Sequence, residues 1–175
     1  PISRRWIWAP IIAVVVASIV GTGLVVSGLV ISGKDFPSMI QDDQIVSVIS
    51  RECEIMTETV KSMPITGTPA EQARAVQDQD KAISNMLVEI RKVDDGVRSA
   101  DPPTNDWLKD WDALIDAREA FAEQRANGYE ADLRIPRAEN GDAIEKRMDE
   151  VWLTDQACEV PDKLLNPYPE DISAT

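Results

Sequence analysis

The chain has 175 residues, a net charge of −13 and no histidine. Lacking histidine, it lacks the commonest general base and the commonest metal ligand, and its acidity argues against a nucleic-acid partner. It holds two cysteines, far apart in sequence and too few for a structural zinc site.

Motifs for other chemistries are also missing. No Gly-x-x-x-x-Gly-Lys-Ser/Thr phosphate loop occurs, no Gly-x-Gly-x-x-Gly follows a strand, and there is no Gly-x-Ser-x-Gly elbow. The many carboxylates fall on predicted solvated helix faces or caps, so no opposed pair of the glycosidase kind stands out. We therefore expect a non-enzyme with no cofactor and no metal site.

Residues 1–9 read as a cytoplasmic stub carrying Arg4 and Arg5. Residues 10–33 follow with no charged side chain. A bilayer core needs roughly 20 apolar residues in helical form, so the run is long enough to span. Trp6 and Trp8 sit at its leading edge, where indoles favour the headgroup zone. A secretory signal is the alternative, but its apolar region runs only about 7–15 residues. Positive residues tend to stay in the cytoplasm, which would place the rest of the chain outside. Small residues recur at Ala13, Ala17, Gly21, Gly28 and Ser32, all on one helix face. Such a face suits close packing against another membrane helix, although small residues are common in spans anyway.

All 31 acidic residues and 16 of the 18 basic ones come after Gly33, leaving that part at −15. A field of this sign attracts cations or a basic protein, or simply keeps an exported domain soluble. Cys53 and Cys158 form an even pair, and in an oxidising compartment they predict a disulfide rather than two buried thiols. Chain-entropy reasoning assigns roughly 4.7 kcal/mol to a closed loop of about 100 residues.

Residues 34–158 read as a helical domain. Ser38 and Gln41 have capping-box spacing before a first helix ending near Ser62. Ile45, Ile49, Cys53, Met56, Val60 and Met63 form its core stripe, which puts Cys53 on the buried face. Thr68, Pro69 and Glu71 predict a capped second helix, with Ala73, Val76, Ile83, Leu87, Ile90 and Val97 along one side. Asp80 interrupts that side. A local rotation of the stripe accounts for it more simply than a buried carboxylate does.

Asp101-Pro102-Pro103 should stop the second helix, and Thr104 or Asn105 should start a third. Trp107, Trp111, Leu114, Arg118 and Phe121 share its inner side. The two indoles are either core, the commoner fate of such a stripe, or docking anchors. Residues 129–141 read as a loop. Glu139, Asn140 and Asp142 within or beside it lack the spacing of a calcium site. Asp142 should cap a fourth helix bearing Ile144, Met148, Val151 and Trp152. Residues 159–175 carry Pro161, Pro167 and Pro169 and read as an extended arm, with Leu164, Leu165 and Tyr168 as possible docking anchors.

The expected class is therefore all-α: one N-terminal transmembrane helix, then an extracytoplasmic up-down bundle of about four helices. In layout the chain resembles single-pass accessory proteins of actinobacterial cell envelopes, among them accessory subunits of respiratory supercomplexes. The likeness rests on the Arg4-Arg5 start, the Val/Ala/Gly/Ser-rich span, and the acidic helical part with one cysteine pair. The span implies membrane lipid and other membrane subunits as partners, and the acidic outer part a basic protein such as a c-type cytochrome domain as a further one. The likeness assigns no functional residue. A ligand-sensing ectodomain acting through a partner is the alternative, with a cell-wall binder or anchored hydrolase behind it.

Overall fold

The computed structural model describes residues 39–152 and 158–168. The proposed span at 10–33, with its small-residue face, lies outside them. Among the described residues no helix is long and apolar enough to cross a membrane.

The described part is all helical. Three long helices, α1 (Asp43–Lys61), α2 (Pro69–Arg91) and α4 (Pro102–Ala126), run up, down and up. Three short ones complete it: α3 (Asp95–Ala100), α5 (Ile144–Glu150) and α6 (Asp162–Leu165). The expected fourth helix is thus only two turns long, and the arm contributes one turn of its own.

Periodicity explains the packing. Ile45, Ile49, Cys53, Met56 and Val60 recur every three or four residues on α1, and all are buried. They meet Ile83, Met86, Leu87 and Ile90 of α2 and Trp107, Trp111 and Leu114 of α4 in one core. A smaller core at the far end joins Ile65, Ala73, Val76, Phe121, Ala122 and Ala131. Pairings of Gln72 with Arg125, Asp80 with Arg118 and Arg91 with Asp112 fix α2 and α4 as antiparallel.

Caps set the boundaries, in places differently from expectation. Asp42 caps α1 by accepting from the Ile45 amide, so the start lies beyond the Ser38–Gln41 box predicted for it. Thr68 and Glu71 form the reciprocal box expected for α2. That helix stops at Arg91, because Asp94 accepts from the amides of Gly96 and Val97 and nucleates α3 separately. Val97 is therefore not part of the α2 stripe. α4 begins at Pro102 rather than at Thr104 or Asn105, since proline needs no N–H partner in a first turn.

Asp142 does not cap α5. Its carbonyl accepts from Ala138, and Arg137 and Ala143 form an isolated bridge, which draws it into a turn. Its carboxylate binds Lys146 instead, at 3.1 Å. Gly141 closes that turn at φ +87°, a conformation side chains strain to adopt.

Candidate functional site: a buried arginine that holds the C-terminal arm

Asp80 and Arg118 each set a charge within an apolar stripe, one on α2 and one on α4. The helices bring them together. Arg118 is fully buried and donates from Nε to Asp80 Oδ1 at 2.5 Å. Its Nη2 donates to Gln79 Oε1 at 2.7 Å and its Nη1 to the Leu164 carbonyl at 2.5 Å. Gln79 in turn donates to the Met63 carbonyl at the end of α1. One guanidinium thus ties together α2, α4 and the arm, and through Gln79 the α1–α2 turn. Asp80 is a buried carboxylate after all, and the stripe does not rotate around it.

Burial pushes the Asp80 carboxyl up to about 6, against the opposing pull of Arg118. Its second oxygen, Oδ2, is buried and has no hydrogen-bond partner among the described residues. A carboxylate with one oxygen unsolvated gives up part of its preference for the charged form.

Two further polar contacts act at a distance in sequence. Asp101 Oδ2 accepts from the backbone amides of Gln41 and Asp42 at 2.8 and 2.9 Å, docking the entry of α1 onto the start of α4. Asp110 of α4 receives a two-pronged contact from Arg147 of α5, with Nε at 2.9 Å from Oδ2 and Nη2 on Oδ1. That contact keeps the arginine proton more firmly than usual. Neither contact could be read from spacing alone.

Cys53 and Cys158 are bonded, with their Cα atoms 5.6 Å apart, so the predicted disulfide is present. It joins α1 to the arm, whose Leu164 is fully buried in the main core. Leu165 is half-buried and packs against the same core. Tyr168 sets its ring edge-on to Phe121, 5.7 Å between centroids, and donates from its hydroxyl to the Ala131 carbonyl and to Asp132 Oδ1. These three anchor the arm to its own domain.

The indoles settle the same way. Trp107 and Trp111 are 1% and 0% exposed, so both are core residues of the described part. Trp107 packs edge-to-face against both Trp111 and Trp152. Among the described residues, the large apolar side chains that face solvent are Ile55, Val88, Tyr129 and Tyr168, each on a different element.

A groove of about 1020 Å³ runs between α1 and the arm beside the disulfide. Arg51, Lys61 and Lys163 line it together with Glu54, Glu58 and Glu159, so it carries both signs of charge. Among the described residues no group of three or more Cys, Asp or Glu is placed to hold a metal ion. Asn140 donates to Asp142, and the same Asp142 carboxylate accepts from Lys146. No family model, curated protein or solved structure matches this chain.

Proposed function

We propose that this chain is a non-catalytic accessory subunit of a larger membrane complex. Residues 10–33 would cross the membrane with the N-terminus in the cytoplasm. The helical domain would stand on the extracytoplasmic side, bracing or covering its partners there. The observation that carries the reading is the use made of the buried charges. Asp80, Asp101, Asp110 and Arg118 each bind another element of the fold, and none is held in reserve in a cleft. A scaffold spends buried polar groups on fixing its own shape, whereas a catalytic site turns them toward a substrate. The disulfide supports the placement, since such bonds persist in oxidising compartments.

The −15 charge of the part after Gly33 supports a basic protein surface among the partners. The resemblance to accessory subunits of respiratory supercomplexes points the same way, on layout alone. Extraction of the intact chain in mild detergent, followed by native mass spectrometry, tests the proposal. Retained membrane subunits are the expected result, and a monodisperse lone chain would overturn it.

A further inference from the structure

We propose that Asn140 is a self-modifying site: the turn before α5 prepares its side-chain amide for attack by the Gly141 nitrogen, so that ammonia leaves and water converts the residue to aspartate or isoaspartate.

The chain has two Asn-Gly pairs, Asn127-Gly128 and Asn140-Gly141, and all four residues are exposed. Glycine suits this chemistry because it puts no side chain beside the attacking nitrogen. The two glycines are closely matched. Gly128 has φ +79° and Gly141 +87°. The Gly128 amide donates to the Arg125 carbonyl and the Gly141 amide to the Ala138 carbonyl, each at 2.9 Å. The difference between the pairs therefore lies in the asparagine side chains.

Asn140 Oδ1 accepts from the Asp142 backbone amide at 3.0 Å, and its Nδ2 donates to Asp142 Oδ2 at 3.2 Å. Chemistry fixes which end is which, since the exchange would set oxygen against carboxylate and NH2 against N–H. Lys146 Nζ donates to the same Oδ2 at 3.1 Å and steadies it. An N–H on the amide oxygen draws charge from Cγ and stabilises the oxyanion that forms when a nucleophile adds there. The carboxylate sits on the leaving nitrogen, where it can take and return a proton. Asn127 has neither partner. Its Nδ2 donates back to the Glu123 carbonyl at 2.9 Å, and the equivalent amide, that of Tyr129, donates to the Gln124 carbonyl.

The step balances with water as the co-reactant. The Gly141 nitrogen bonds to Asn140 Cγ, and the Cγ–Nδ2 bond breaks. Ammonia departs with the glycine amide proton and leaves a cyclic imide. Water attack at Cγ reopens the ring to an ordinary aspartate. Attack at the main-chain carbonyl carbon leaves the chain running through the side chain, as isoaspartate. Either product adds a negative charge beside Glu139 and Asp142. The isoaspartyl form also inserts a carbon into the turn that the Ala138 amide closes on the Asp142 carbonyl. That turn delivers the buried Ile144 to the core, so the entry of α5 loosens with it.

Ageing of the intact folded chain at neutral pH in heavy-oxygen water tests the site. The label marks conversion during the ageing alone, and peptide mass spectrometry resolves the two asparagines. Asn140 should convert about fivefold or more faster than Asn127, the worth of one hydrogen bond to a developing charge. In guanidinium chloride, with both turns unfolded, the rates should agree to within about twofold. A gap below about twofold in the folded chain, or a faster Asn127, would overturn the proposal. So would a gap that persists in denaturant, because local sequence and not the fold would then set it. Asp142→Ala keeps the backbone amide and removes only the carboxylate. It should slow Asn140 towards the Asn127 rate, and an unchanged rate would overturn the part given to Asp142.

Discussion

Arg118 of α4 and Asp80 of α2 lie 38 residues apart in sequence and 2.5 Å apart in the core, and both are almost wholly shielded from water. Such a pair contributes little net stability compared with apolar packing, but losing one partner strands the other. Asp80→Ala would leave a guanidinium charge buried with only Gln79 and the Leu164 carbonyl as acceptors. We expect a loss of about 3–5 kcal/mol. Urea denaturation followed by circular dichroism measures it. A loss below about 1 kcal/mol would mean that water reaches the site.

The same carboxyl gives the fold a pH dependence of definite sign. Burial raises the Asp80 pKa from 3.8 to about 6, so between those values the folded chain holds a proton that the unfolded chain has released. The contribution of Asp80 to stability is therefore fully present below the unfolded value and is lost as pH rises through about 6. Other carboxylates add their own slopes, so the informative quantity is a difference. Wild type minus Asp80→Asn should lose stability between pH 4 and pH 6, by a few kcal/mol at most. A flat difference over that range, from denaturant midpoints at matched ionic strength, would contradict the raised pKa.

Much of this was legible in the sequence because helical periodicity is local. The stripes of α1 and α4, that of α2 as far as Ile90, and the Thr68 box follow from spacing and caps that involve neighbours only, whereas the stop expected at Asp101 for the second helix falls at Arg91 instead. The disulfide was legible from cysteine arithmetic. What escaped depends on which elements meet in space. Asp80 looked like a fault in a stripe because its reason, Arg118, lies on another helix. The signal was nonetheless there: one acid and one base each interrupted an apolar face at heights that an antiparallel pairing brings level. Asp101 gave no such hint, since its partners are backbone amides.

The turn before α2 offers a test at the surface. Gly67 has φ +86°, and a Cβ there would collide with the Glu71 carboxylate that completes the capping box. Gly67→Ala must therefore strain the backbone and displace Glu71. Thr68→Ala removes only the cap hydroxyl and should cost about 1 kcal/mol. The hydrogen bond from the Thr68 backbone amide, helped by the Thr68 hydroxyl, holds the Glu71 carboxyl below its ordinary range. Both substitutions should return it upward. Carboxyl-carbon NMR titration reads the shift directly, and an unmoved Glu71 in either variant would rule out the box as its cause.

Trp107 decides whether the indoles of α4 serve the core or a partner. Its ring centroid lies 5.8 Å from that of Trp111 and 5.6 Å from that of Trp152, both near perpendicular, so it links α4 to the residues just after α5. Truncation to alanine would empty a site walled by two other buried indoles, which cannot collapse into it without moving the backbone that carries them. We expect Trp107→Ala to cost about 3–5 kcal/mol and to weaken the packing of α5 first. Exchange of the Met148 amide, measured beside global stability, should rise more than that of the Ile83 amide. If the variant kept its stability while losing co-purifying subunits, the indole would be a contact residue and its burial between α4 and α5 would need another explanation.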